Sequence, residues 1–279
     1  WLPQTQFAGY YVAREKGFYR EAGLEVAIEE GAYGKNNLVT VADGIEEFGT
    51  KWPLDLMPEI DRVKLLANVF KENGLVFISR RSSGIRRIAD FAGRRVSVWF
   101  TGNEFQLFTL LEKAGVSRDS VRIVAQHFDL AQFLRGEVDV AAAMSYNELH
   151  ELARRGLPPE ELNVIGADDG DIAFPGDSIF TSREFYRANP GICAAFVQAS
   201  IRGWEYAIRY PEEATRIVIK NNPKVRLEYA AQFQQLQGII KLIHAEKWPI
   251  GHIDRKMMED CVGIALRFGI IRKHPDRIE

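Results

Sequence analysis

Over the first two-thirds of the chain, short apolar runs rich in β-branched residues alternate with longer stretches whose apolar positions recur at helical spacing. A helix over Tyr10 to Glu21, closed by Gly23, precedes a strand over Leu24 to Ile28. A glycine-bearing loop from Gly31 to Gly34 leads into a short helix beginning near Asn36, and Val63 to Val69 and Leu75 to Ser79 have strand length and composition. Regular pairs follow: helix Ile85 to Phe91 and strand Arg95 to Trp99, then helix Asn103 to Ala114 and strand Val121 to Ala125. Helix Leu130 to Arg135 with strand Val138 to Ala143, and helix Asn147 to Arg155 with strand Leu162 to Ile165, complete the series. Repeated βα units of this length predict a largely parallel sheet with helices on its faces.

After Phe180 the pattern is helical throughout: Arg183 to Asn189, Ile192 to Arg209, Pro211 to Asn221, Leu227 to Ala245 and Asp254 to Phe268. One sheet would need two long crossings to hold a first α/β segment, a central α/β block and a helical tail. Two lobes accommodate them readily. The expected fold is α/β, with lobe 1 built from residues 1–78 and 175–279 and lobe 2 from 79–174, the chain crossing near Ser79 and returning near Phe174. Two crossings make a hinge, and ligands of open α/β sheets bind beyond the carboxyl ends of strands, here in the cleft between the lobes.

Composition removes several function classes. The 36 basic side chains stand against 38 acidic ones, so no electrostatic partner such as nucleic acid is implied. Arg80, Arg81, Arg86, Arg87, Arg94 and Arg95 come nearest to a basic patch, but apolar residues and glycines interrupt them, as on a solvated lobe surface. No apolar run reaches the roughly 18 residues of a membrane span. The chain opens on Trp1 inside what reads as a strand, so a leader and some mature residues are expected ahead of it, which allows export to a periplasmic or extracellular, membrane-anchored location. Cys193 and Cys261 lie in apolar helical patterns without CxxC or Cys/His spacing, which predicts buried free thiols, a single disulfide being the alternative. His127, His150, His244, His252 and His274 are scattered, with no GxSxG or HExxH, so no catalytic set, metal set or cofactor motif is expected; carboxylates paired only in space stay open.

Candidate ligand contacts fall where strands run out into loops. Trp1, Gln4, Gln6, Phe7, Gly9, Tyr10 and Tyr11 combine aromatic faces with a glycine that admits close backbone approach, although an amphipathic helix packing its core explains part of the cluster. Gly31, Tyr33, Gly34, Lys35, Asn36 and Asn37 form either a ligand loop at a helix start or a plain surface turn. Trp99, Thr101, Asn103 and Glu104 follow a strand and open a helix; capping accounts for Thr101 and Asn103, but not for the indole. Tyr146, Asn147 and Glu148 repeat that arrangement. There the ring can stack, the carboxamide can donate and accept, and the carboxylate can accept from an amino heterocycle, with helix capping as the alternative. Asp177, after Pro175 and Gly176 at the second crossing, is a fifth candidate.

The stretches WLPQTQFAGYYVAREKGFYREAGLEV, VSVWFTGNEF, AAAMSYNEL and SIRGWEYAIRYPEEA resemble the NMT1/THI5-like group of periplasmic binding proteins over nearly the whole chain. The GFY and GLxV steps of the first stretch carry most of the specificity. The resemblance implies a type II periplasmic-binding fold with mixed, mostly parallel sheets, serving as the solute-binding subunit of an ABC importer. It implies a monomer with a membrane permease as partner and a small aromatic heterocycle as ligand, a thiamine-pyrimidine precursor first and riboflavin as the alternative. Its implied contacts are Trp1, Tyr11, Trp99, Tyr146, Asn147 and Glu148. A pyrimidine synthase, the enzyme alternative, is disfavoured, because the cysteine-rich motif of such synthases has no counterpart and Phe7 stands where pyrimidine-handling relatives tend to carry histidine. That phenyl ring also favours a larger or more apolar ligand such as a flavin. The connection from Gly49 to Asp61 is shorter than the strand, helix and loop usual in the group.

Overall fold

The computed structural model describes residues 2–31, 35–127, 129–166 and 174–275. The chain opens with helices α1 (Ala8–Glu15), α2 (Phe18–Glu21) and α3 (Asn37–Ala42), then strands β1 (Phe48–Lys51), β2 (Val63–Asn68), β3 (Leu75–Arg80) and β4 (Arg95–Val98). Next come α4 (Asn103–Lys113), β5 (Arg122–Ala125), α5 (Ala131–Leu134), β6 (Val140–Met144), α6 (Glu148–Arg154), β7 (Leu162–Ile165) and β8 (Ser178–Ser182). The tail is helical: α7 (Arg183–Ala188), α8 (Pro190–Arg209), α9 (Pro211–Asn221), α10 (Tyr229–Ile243) and α11 (Arg255–Arg267).

Two sheets result. One has the order β1-β8-β2 and is antiparallel; the other has the order β5-β4-β6-β3-β7. In the second, β4 runs parallel to both β5 and β6, whereas β3 pairs antiparallel with β6 and β7. Parallel pairing is therefore confined to one side of the larger sheet, less than the βα rhythm suggests, because β3 enters from the first crossing in the opposite direction. The pleat divides this sheet cleanly. Phe77, Val96, Val98, Val140 and Ala142 enter one apolar core, while Ile78, Ala141 and Ala143 enter another on the opposite face.

Two local expectations change. The helix read over Tyr10 to Glu21 starts at Ala8 and breaks at Gly17, whose φ of +80° ends α1 and starts α2. Leu24 to Ile28 forms no strand: Leu24, Val26 and Ile28 bury alternate side chains against the core of α1 and α8 without a ladder partner. The connection after Phe48 holds β1 and a 3-10 helix, Pro53–Glu59, whose Leu54, Leu56 and Met57 pack into a third core with α11. Cys193 and Cys261 are buried free thiols.

The chain passes between the two sheets over residues 69–74, ahead of the crossing expected near Ser79, and returns over the segment that ends at Asp177; these two crossings are bonded to each other. Val69 N–H and Phe70 N–H donate to Asp177 O, Gly176 N–H to Phe70 O, and Asn73 N–H to Phe174 O. A β-carbon at Gly176 would sit 2.6 Å from Glu72 O, so this approach needs glycine. Leu242 O, at the end of α10, accepts from Lys71 N–H and ties the first crossing to the helical tail.

Candidate functional site

Because β4 and β6 are parallel neighbours, their carboxyl ends open side by side. The turns that follow them face the N-terminal segment, the segment from Thr50 to Asp55, and Asp177 of the second crossing. Together they enclose a cavity of about 540 Å³, within the range of small-molecule sites.

The N-terminal wall is set by a relay of amides. Gln235 Nε2 on α10 donates to Gln4 Oε1 (2.6 Å), Gln4 Nε2 to Gln6 Oε1 (3.0 Å), and Gln6 Nε2 to Asp177 Oδ2 (2.8 Å). Thr5 secures the same segment through its N–H and Oγ1, which donate to Gln232 and Gln235. The relay ends on a carboxylate that is 5% exposed. Burial pushes Asp177 up to about 6, against the stabilising donation from Gln6.

After β6, Tyr146 is pressed onto Gly238 of α10, where a β-carbon would lie 2.7 Å from Tyr146 Cβ. Burial raises the Tyr146 phenol, with Asp177 and Glu148 adding to the rise, so it stays neutral. Glu148 accepts from Met144 N–H (2.7 Å) and from Asn147 Nδ2 (3.0 Å); burial is the main cause of its raised pKa. Asn147 occupies the cap position of α6, but its side chain bonds Glu148 and leaves the helix backbone alone.

After β4, Trp99 Nε1 donates to His127 O at 3.0 Å, which fixes the indole with its ring on the cavity wall. Neither Thr101 nor Asn103 caps α4, contrary to the capping reading. Gly102 is the cap residue, at φ +114°, and its N–H donates to Glu104 Oε2 (2.9 Å), while Asn103 Nδ2 donates to Thr101 Oγ1 (3.3 Å). The Glu104 carboxyl is raised chiefly by burial.

Of the residues singled out in the sequence, Gln4, Gln6, Phe7, Gly31, Lys35, Asn37, Trp99, Thr101, Asn103, Tyr146, Asn147, Glu148 and Asp177 line this cavity. Tyr11 does not: it is buried in the α1–α9 core and donates through its hydroxyl to Asn222 Oδ1 (3.2 Å). Glu104 is not part of the lining and accepts from Gly102 N–H. Gly9 does not serve a ligand either, since it admits the ring of Trp204 from α8. Trp1 and Tyr33 fall outside the described residues. Sequence reasoning missed Thr50, Lys51, Trp52 and Asp55, which all line the cavity. The string WPLDLMP signals the tight helical turn that proline starts, but not which of its side chains meets the cavity.

The NMT1/THI5-like family model matches residues 4–214. The chain belongs to that family. Among NMT1/THI5-like relatives, the riboflavin-binding protein RibY of Chloroflexus aurantiacus is 26% identical over 270 residues, covering 92% of this chain and 76% of the relative. The formylaminopyrimidine-binding protein of Halalkalibacterium halodurans is 22% identical over 274 residues, covering 94% and 81%. The periplasmic aliphatic sulphonate binding protein SsuA of Escherichia coli superposes with a TM-score of 0.75 at 15% identity, covering 98% of this chain and 88% of that one. The fold is thus that of the periplasmic binding proteins.

Proposed function

We propose that this protein is the solute-binding component of an importer, closing on a small aromatic heterocycle between a lobe of residues 1–74 with 175–279 and a lobe of residues 75–174, a boundary set ahead of the expected one at 78/79 because β3 pairs with β6 and β7. It works outside the cytoplasmic membrane as a monomer that delivers its ligand to a permease. The observation that carries this reading is the lining of the cavity. Four aromatic side chains, Phe7, Trp52, Trp99 and Tyr146, stand around three carboxylates, Asp55, Glu148 and Asp177. Flat apolar walls with few convergent acceptors suit a ring that bears amino groups. The same carboxylates disfavour an anion, so the sulphonate named for the structural neighbour is a poor guide to this ligand. Binding without chemistry is supported by the names of the two relatives above and by the missing cysteine-rich motif of the synthases.

An aminopyrimidine of the thiamine-precursor type is the first ligand. Tyr146 and Trp99 offer it stacking faces, and Asn147 with Glu148 offers a donor and an acceptor. Riboflavin is the second reading, supported by the 540 Å³ cavity, large for a single six-membered ring, and by phenylalanine at position 7. Thermal shift and calorimetry with a formylaminopyrimidine and with riboflavin decide between them, since a ligand at about 100 times its Kd stabilises by about 2.7 kcal/mol. Glu148→Gln is expected to weaken an aminopyrimidine by about 1.5 to 3 kcal/mol, the range for hydrogen bonds to charged groups. An unchanged Kd would remove Glu148 from the contact set.

A further inference from the structure

Two residues of the cavity wall each carry an acceptor atom with no donor among the described residues. Oδ1 of Asp55 and Oδ1 of Asn103 are both enclosed and both unpartnered. The other two carboxylates differ, because Glu148 takes Met144 N–H and Asn147 Nδ2, and Asp177 takes Gln6 Nε2. Native proteins seldom leave such atoms unpaired, since an enclosed oxygen without a donor forfeits its hydration and gets nothing back. Asn103 is 7% exposed and turns its amide nitrogen to Thr101, which leaves the carbonyl oxygen as its free end. Between the two residues stands Gly102, with no side chain, packed against the Asp55 carboxylate.

We propose that Asp55 and Asn103 form a second polar anchor of the solute site, accepting hydrogen bonds from a basic amino or amidine-type group of the ligand, and that Asp55 selects for ligands carrying that group. The proposal rests on the solute-binding reading and adds a pole to it. Glu148 and Asn147 stand beyond β6, whereas Asn103 stands beyond β4 and Asp55 meets the turn there from the helix after β1, so a ligand spanning the cavity presents donors at two ends.

The surroundings of Asp55 favour this role. Burial pushes its carboxyl up to about 7; Lys51 opposes the rise, and Glu104 and Asp177 add to it. On the side of α11 lies the Cys261 thiol, itself pushed up to about 12 by burial, Asp260 and Asp55, and therefore neutral. The empty site thus holds Asp55 partly protonated near neutral pH. A cationic donor would bind the ionised form and release the proton.

Calorimetry with an aminomethyl-substituted and a hydroxymethyl-substituted aminopyrimidine, in two buffers of different ionisation enthalpy near pH 7, reads both selection and proton release. The wild type is expected to prefer the aminomethyl compound about tenfold or more, and Asp55→Asn to reduce that preference below about threefold and abolish proton release. Glu148→Gln should weaken both compounds alike. An unchanged preference in Asp55→Asn, or binding of riboflavin alone, overturns the anchor and leaves the receptor standing. If no probe binds the wild type, the receptor reading fails by itself and the empty protein decides: an unpaired Asp55 predicts a Tm for Asp55→Asn about 2 °C or more above wild type near pH 8, with equality near pH 4. Equal Tm values at both pH values overturn the anchor.

Discussion

Gln6 Nε2 donates to Asp177 Oδ2 at 2.8 Å, while the backbone carbonyl of the same aspartate accepts from Val69 and Phe70 of the other crossing. One residue thus belongs to the cavity through its side chain and to the paired crossings between the sheets through its backbone. Its carboxyl is held up to about 6 by burial, so the folded state binds more protons than the unfolded state between about pH 4 and 6. Stability from this group is present at low pH and is lost as pH rises through that window. Asp177→Asn keeps the shape and can still accept from Gln6. Relative to this variant, wild-type Tm should fall by a few degrees between pH 4 and about 7, followed by scanning calorimetry; parallel Tm curves would show that the carboxyl is not raised.

Gly102 illustrates a requirement imposed twice. Its φ of +114° is disfavoured for any L side chain, and a β-carbon there would overlap the Asp55 carboxylate. Gly102→Ala should therefore cost about 2 kcal/mol or more in urea unfolding and should also displace Asp55 from the cavity wall. Gly84 is the matched control. It too has a positive φ, +73°, but nothing near its missing side chain, so Gly84→Ala should show the backbone cost alone.

The elements legible in the amino-acid sequence are those whose signal is local. β4, β6, α4 and α6 lie within a residue or two of their expected positions because each pairs a buried run with a helical repeat, and the site residues at their junctions follow: Trp99, Asn103, Tyr146, Asn147 and Glu148. What escapes depends on distant partners. β1 and β8 are short and gain strand identity only through pairing, Phe48 against Thr181 and Lys51 against Ser178. Leu24 to Ile28 has the right alternation but no neighbour to complete a ladder. Tyr11 has the aromatic face of a ligand contact, yet the periodicity of α1 turns it toward α9 and Asn222. Asp55 gives no local signal because only the fold brings it against Gly102, 47 positions along the chain.

Lys71, in the first crossing, is 5% exposed and has carbonyls for company. Its Nζ donates to Asn68 O at 3.0 Å and to His252 O, with Asp254 acting only from a distance. Burial pushes the ammonium from 10.5 down to about 8. The unfolded chain then binds more protons than the folded one between about pH 8 and 10.5, so stability rises with pH across that interval. Lys71→Met removes the dependence. Wild-type Tm relative to the variant should climb over this range, and a constant offset would mean that Lys71 keeps its proton in the fold.

The contact between α1 and α8 makes the last prediction, because it decides where the N-terminal wall of the cavity stands. A β-carbon on Gly203 would overlap Gly9 O and crowd Ala13, and one on Gly9 would overlap the Trp204 ring. Trp204 is fully buried and meets Tyr10 and Phe70 edge-on, with centroids 5.8 Å and 5.4 Å away, so it cannot yield. The helices would have to separate instead. Gly203→Ala is expected to cost about 3 kcal/mol, at the upper end of overpacking because backbone is displaced, against a helix-propensity gain of at most about 1 kcal/mol. Since α1 begins directly after Gln6 and Phe7, its displacement would also loosen the amide relay to Asp177, so ligand affinity should fall along with stability. Gly263, inside α11 with open space around it, separates the two effects: Gly263→Ala gains the propensity without the clash and should raise stability by about 0.5 to 1 kcal/mol with no change in Kd. A Gly203→Ala protein as stable as wild type would mean that α1 and α8 do not meet through their glycines, and the N-terminal wall would then have to be rebuilt on other contacts.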